Sequence, residues 1–186
     1  FMDNTQQAYD ECNNAWDNGY EGNYWSDFDE ASEGAWDNDS DGIVDSPYNI
    51  PGGNNIDMYP LLIPTVADIR LEIPVATNFT QPLGTERTFP IEIYNDGGEK
   101  LYFNITSIDN WVIVSPSTVL MSAHQPGEKT PQITITVTIR TEDLNVGNYN
   151  TSLIIHSNDP DEGLLVIPIN LTVTKPTLVW VSKTFN

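Results

Sequence analysis

"VGNYNTSLIIHSNDPDEGLLVIPINLTV", residues 146–173, sets two short runs of apolar and polar residues on either side of the turn cluster "SNDPDEG". Runs of this length, rich in Ile, Val, Leu and Thr and divided by Asn, Asp, Pro and Gly, read as two strands of a hairpin. A hairpin alone does not hold in water, so the neighbouring sequence must supply further strands. Working outward, the same grammar recurs in "IRLEIPV", "RTFPIEIYN", "KLYFNITSI", "WVIVSP" and "ITITVTIRT", parted by turn clusters such as "NDGGE" and "HQPGEK". With "YNTSLIIHS" and "LLVIPINLTVT" this makes seven short strands within residues 66–174, the pattern of an antiparallel β-sandwich. Thr, Val and Ile dominate where a helix would favour Ala, Leu and Lys. The sandwich is expected to fold alone and without metal. Trp111, Val112 and Val114 are expected on a core strand, with Asn104, Asn150 and Asn170 facing solvent.

Residues 1–63 follow another grammar, rich in Asn, Asp, Gly and aromatic residues with no sustained period. The change falls near "YPLLIPTVAD", where Pro60 and Pro64 bracket an apolar clasp. The expected organisation is a cap over residues 1–65, a sandwich over 66–174 and a terminal strand or linker over 175–186. The 186 residues carry 27 acidic against 7 basic side chains, a formal charge of −20. Nucleic acid and anionic membranes are thereby excluded as partners, and cations are invited. Fifteen acidic residues precede the first basic one, Arg70, so the first segment needs counter-ions. At 39% hydrophobic residues the chain is too apolar for a disordered acidic tail.

No run of 18 apolar residues occurs, and Phe1 without an initiator methionine leads to the expectation of a piece of a longer precursor. Cys12, the single cysteine, is expected as a buried free thiol. Five Asn-x-Ser/Thr sequons begin at Asn38, Asn78, Asn104, Asn150 and Asn170 and point to an extracellular glycoprotein.

Within residues 146–173, Gly147 with Tyr149, Ser157 to Pro160, and Pro168 with Leu171 and Val173 form a recurring pattern. It resembles the C-terminal half of immunoglobulin-like sandwich modules found in tandem on secreted and surface proteins of archaea and bacteria. That resemblance implies a fold and no activity. The first segment shows Trp16 to Tyr20, Asn23 to Asp27, Asp37 to Asp45 and Asp57 to Leu61. In that order they resemble the segment that closes right-handed parallel β-helix proteins of the NosD type, common in archaeal surface proteins. The resemblance implies that "FMDNTQQAYDECNNAW" is the last rung of such a helix, which needs stacked neighbours to bury its faces.

"DNDSDGIVD", residues 37–45, poses an electrostatic problem, because alternate aspartates repel. A hard cation resolves it. Carboxylates at positions 1, 3 and 5 of a tight loop point inward, a glycine at 6 permits the turn, and position 7 offers its carbonyl. Asp37, Asp39, Asp41, Gly42 and the Ile43 carbonyl fill those places, with Asp45 at position 9, and the expected ion is Ca²⁺. Tyr48 stands at position 12, where a bidentate glutamate is usual, so one ligand is short. Asp27, Asp29, Glu33 or Asp57 can supply it, and the resemblance favours Asp27. The alternative is a solvated acidic turn, since these residues are also good turn formers.

Trp16, Tyr20, Tyr24, Trp25, Phe28 and Trp36 read as the core of the first segment, or alternatively as a sugar-stacking platform. His124 and His156 lie far from Cys12 in sequence, and with Met2, Met58 and Met121 show no copper-ligand spacing, although the NosD name is linked to copper. No hydrolase, zinc-protease or phosphate-loop pattern occurs. The chain is therefore expected to be a non-enzymatic, calcium-stabilised surface protein acting as spacer, adhesin or filament subunit. The alternatives are part of a polysaccharide-acting β-helix enzyme or a carbohydrate-binding module. The tail "TLVWVSKTF", apolar on both faces after Pro176, is expected to add residues 176–186 to another copy or to continue into a neighbouring domain.

Overall fold

In the computed structural model the described residues are 5–73 and 77–176, so the tail after Pro176 lies outside them. The chain forms two compact units that are not contiguous in sequence. The first is Phe1–Arg70 with Tyr94–Leu101 and Met121–Gln132, and the second is Leu71–Ile93, Tyr102–Leu120 and Ile133–Asn186. Two loop-bearing stretches of the range 66–174 thus group with the acidic segment.

The fold class is all-β, an irregular first segment and an immunoglobulin-like two-sheet sandwich. Among the described residues the first segment has little regular structure: one 3-10 turn over Ala31–Glu33 and a two-stranded hairpin of β1 (Tyr48–Asn49) and β2 (Ile56–Asp57). Residues 5–16, expected as a β-helix rung, contain no strand. A rung buries its faces only when stacked, and this segment instead folds on its own polar groups.

Backbone bonds from the clasp tie the segment together. Tyr59 and Asn23 accept from the N–H groups of Gly22 and Leu61 at 2.8 and 2.9 Å, and Pro60 and Gly42 accept from Val44 and Leu62 at 2.7 and 2.9 Å. The clasp is therefore laced between residues 22–24 and 42–44, which fixes both ends of the aspartate loop's exit.

The sandwich strands are β3 (Ile69–Glu72), β4 (Asn78–Pro82), β5 (Glu86–Asn95), β6 (Tyr102–Ser107), β7 (Val112–Ser115), β8 (Thr118–Leu120), β9 (Gln132–Arg140), β10 (Gly147–Ser157) and β11 (Leu164–Thr174). One sheet runs β4-β11-β10-β6-β8 and the other β3-β5-β9-β7. β10 pairs antiparallel with β11 and β6, β6 with β8 and β7 with β9, whereas β4 runs parallel to β11 with Asn78 opposite Asn170. Alternate residues are buried, and Ile91, Ile135, Val137 and Ile139 of one sheet join Ile105, Leu153, Ile155 and Ile169 of the other in the core. Phe79 stacks on Phe89 at 5.0 Å between centroids, and the Thr141 hydroxyl donates to the Pro82 carbonyl at 2.7 Å.

All seven expected strands form, and β4 and β8 are additions. Trp111 and Val112 are buried, while Val114 is half-buried. Asn150 and Asn170 are exposed and Asn104 is half-buried. Among the described residues no helix is long and apolar enough to cross a membrane.

Candidate metal centre

Asp37, Asp39 and Asp41 each present a carboxylate oxygen within 4.8 Å of the others. The loop conformation follows from its own short-range bonds. Asp37 accepts the N–H of Gly42 through Oδ2 at 2.9 Å and that of Asp41 through Oδ1 at 3.3 Å, while Asp41 accepts the N–H of Ile43 at 2.8 Å. Gly42 has φ +89°, a left-handed turn that only glycine takes without strain, and Ser40 shares that region at φ 60°. Ile43 bridges antiparallel to Leu61, so the clasp anchors the loop's exit. The repulsion inside this group acts on Asp39, whose carboxyl is raised above its ordinary value, chiefly by Asp41, with partial desolvation and the charges of Asp45 and Asp37 adding to it.

Asp45 and Asp27 are placed otherwise than the three aspartates. The Asp45 Oδ2 accepts both the backbone N–H and the side-chain N–H of Asn38, at 2.9 and 2.6 Å, and these bonds hold its carboxyl below the usual range. Asp27 accepts the Tyr48 hydroxyl at 3.0 Å. Burial, with that bond and the Asp27 charge, pushes the Tyr48 hydroxyl up to about 12. The residue at loop position 12 therefore occupies the carboxylate favoured to complete the site. Of the other candidates, Asp29 accepts the Tyr24 hydroxyl, and Glu33 accepts the N–H groups of Asp29 and Glu30. Asp57 is wholly buried and fully engaged: Oδ2 accepts from the Asn23 backbone at 2.6 Å and the Trp25 indole at 2.9 Å, and Oδ1 from Tyr59 at 3.1 Å.

Asp57 and Asp10 are the two carboxylates around which the first segment is built, and sequence reasoning did not find them in that role. Asp10 accepts from the Cys12 backbone, the Asn14 amide and the Trp16 indole at 2.8 to 3.0 Å. Each hub takes one indole N–H, and the only sequence signal was a surplus of both Asp and Trp. Cys12 is exposed rather than buried, because its backbone is turned inward, the N–H to Asp10 and the carbonyl to Asn55.

The aromatic cluster is also smaller than expected. Trp25 is fully buried and stacks on Tyr48 at 4.2 Å, whereas Tyr20 and Trp36 are exposed. Trp16, Tyr24 and Phe28 are half-buried.

These carboxylates set the acid response of the first segment. At Asp10 burial raises the carboxyl, but bonds from Trp16, Cys12 and Asn14 outweigh it and hold it low, as Asn38 does for Asp45. A carboxyl lowered on folding stabilises the fold above its unfolded value, about 3.9, and that stability is lost as pH falls through the folded value. Asp39 acts in the opposite sense, since its raised carboxyl opposes folding once ionised. In metal-free buffer the first segment should therefore lose stability below about pH 4. Asp10→Asn should flatten that loss, and Asp39→Asn should stabilise the loop at neutral pH. Tryptophan fluorescence against pH reads both, and identical acid limbs for the wild type and Asp10→Asn would contradict the assignment.

No protein-family model matches the chain, and no curated protein matches it. Among solved structures it is similar to the ASH/PapD-like domain 7 of human CEP192, with a TM-score of 0.43 and 12% identity over 62% of this chain and 90% of that one. It is also similar to SSP-19, an MSP-domain protein like family member of Caenorhabditis elegans, with a TM-score of 0.38 and 16% identity over 50% and 92% of the two chains. The periplasmic chaperone SfaE gives 0.39 and 15% over 61% and 60%. At such identities each is a likeness of fold.

Proposed function

We propose that the protein is a non-catalytic, extracellular structural module of a cell surface whose first segment is held together by Ca²⁺. The observation that carries this reading is the convergence of Asp37, Asp39 and Asp41 around the Gly42 turn, in a segment without a lysine or arginine before Arg70. Ca²⁺ takes six to eight oxygens at about 2.3–2.6 Å. The three carboxylates and the Ile43 carbonyl provide a first set, and water completes it. Asp45 joins only by releasing Asn38, and Asp27 only by releasing Tyr48.

The resemblance of the first segment to the closing segment of NosD-type β-helices of archaeal surface proteins supports a spacer, adhesin or filament role. The sequons support an exported glycoprotein. Addition of residues 176–186 to another copy remains part of the proposal, although residues 177–186 lie outside the described ones. The carbohydrate-platform alternative needs Trp16, Trp25 and Trp36 on one open face, and Trp25 is sealed in the core. The polysaccharide-enzyme alternative needs a basic residue near the acidic groups, and the first 69 residues have none.

Calorimetric titration of the full chain with Ca²⁺ tests the reading. One ion per chain is expected, with binding abolished in the Asp39→Asn/Asp41→Asn double variant. No heat at millimolar Ca²⁺, or unchanged binding in the double variant, would overturn it.

A further inference from the structure

The outward face of the five-stranded sheet is uncharged. On β4, β6, β8, β10 and β11 the residues that alternate with the buried ones include no Asp, Glu, Lys or Arg, in a chain of formal charge −20. At one end the face is apolar, with Leu120 66%, Leu164 59%, Val166 56% and Tyr102 46% exposed. At the other it is a lattice of amides and hydroxyls: Asn150 opposite Asn170 opposite Asn78, and Asn148 opposite Thr172 opposite Thr80. Every sequon outside the first segment lies on this face. Asn78, Asn104, Asn150 and Asn170 all point outward, and the side-chain period of two brings Thr80, Thr106, Ser152 and Thr172 of the same sequons to the same side.

We infer that this face is covered by N-linked glycans, carried on Asn104, Asn78 and Asn150, with the central Asn170 left bare beside them. The inference rests on the extracellular reading above. In the transfer, the asparagine Nδ2 attacks the anomeric carbon of a lipid-linked oligosaccharide diphosphate. The N–C bond forms, the bond from that carbon to the diphosphate oxygen breaks, the lipid diphosphate leaves, and Nδ2 loses one proton. Geometry then selects among the acceptors. Neighbouring strands lie about 4.8 Å apart, so Asn78 and Asn150 stand about 10 Å apart across Asn170, while Asn170 lies one strand from each. Its Nδ2 already donates to the Asn78 Oδ1 at 2.8 Å. A sugar on Asn170 would stand one strand, about 4.8 Å, from one on Asn78 or Asn150 and crowd it, so an occupied neighbour disfavours transfer to the central position. Asn38 is unsuited for another reason, because its amide holds Asp45 at 2.6 Å. Glycans on this face supply the hydration that its side chains lack beside the exposed Leu120, Leu164 and Val166.

The experiment is secretion of the full chain from a eukaryotic host that transfers N-glycans, followed by site mapping with amidase release in heavy-oxygen water and by intact mass. Occupied Asn104, Asn78 and Asn150, with Asn38 and Asn170 empty, is the expected result. In Asn78→Gln/Asn150→Gln the occupancy of Asn170 should rise at least tenfold from its residual level. A secreted chain bare at all four positions, or molecules carrying sugar on Asn170 together with Asn78 or Asn150, would overturn the inference. An Asn170 that stays empty in the double variant would do the same. Calcium titration of the same preparation reports independently on the first segment, so failure of one reading is distinguishable from failure of the other.

Discussion

Removing calcium should lower the melting temperature of the first segment by about 10–20 °C and leave the sandwich where it was. A ligand at one hundred times its dissociation constant stabilises the state that binds it by about 2.7 kcal/mol. For a cooperative unit of this size each kcal/mol moves the midpoint by about 4–8 °C. The signals separate cleanly: Trp25 stacked on Tyr48 reports the first segment, and Trp111, tilted against Tyr149 at 6.2 Å, reports the sandwich. With chelator, the tryptophan and tyrosine near-ultraviolet signal should resolve into two transitions. Coincident melts with and without chelator would show that Asp37, Asp39 and Asp41 form only a solvated turn.

The second large effect is expected at Asp57. Its carboxylate is fully buried and satisfies four N–H donors: the Asn23 backbone and side chain, the Trp25 indole and the Tyr59 backbone. In Asp57→Ala those neutral donors lose their acceptor inside the fold, where each unsatisfied N–H costs about 1–3 kcal/mol. With several donors stranded together, the loss should be about 3–5 kcal/mol in urea unfolding followed at Trp25. Asp57→Asn retains one acceptor oxygen and should cost less. Gly22→Ala probes the same pocket from the other side, because an added Cβ would stand 1.8 Å from the Asp57 Oδ1. If Asp57→Ala costs under about 1 kcal/mol, the carboxylate is not a hub of the first segment.

The sandwich was readable because its strands obey the alternation rule with Ile, Val and Leu inward. β4 escaped because "NFTQP" puts only Phe79 and Gln81 inward. Gln81 is a buried amide that donates to the Thr85 and Ile139 carbonyls. β8 escaped because three residues carry no period. In the acidic segment the convergence of Asp37, Asp39 and Asp41 was legible from spacing alone, since it is made by bonds within the loop. The partners of Asp10, Asp45, Asp27 and Asp57 were not legible. An aspartate reads alike whether it meets a cation, an indole or a tyrosine hydroxyl, and the choice is made by contacts up to 34 residues distant, as between Asn23 and Asp57. For the same reason Trp25 and Trp36 could not be told apart before folding, one sealed in the core and the other open to solvent.

The parallel pairing of β4 with β11 has a mechanical meaning. Asn78 lies opposite Asn170 and Pro82 opposite Thr174, so the chain enters β4 at one end of the ladder and leaves β11 at the other. Tension applied just before Asn78 and just after Thr174 drags the two strands lengthwise past each other. Their rungs then share the load and must rupture together. The β10–β11 hairpin pulled apart at its open end, at Gly147 and Val173, would instead open one rung at a time, like a zipper. Single-molecule stretching across the first pair of points should show one abrupt, high-force event, well above the force for the second pair. A sandwich built this way stays folded under a pull that would peel an ordinary hairpin open.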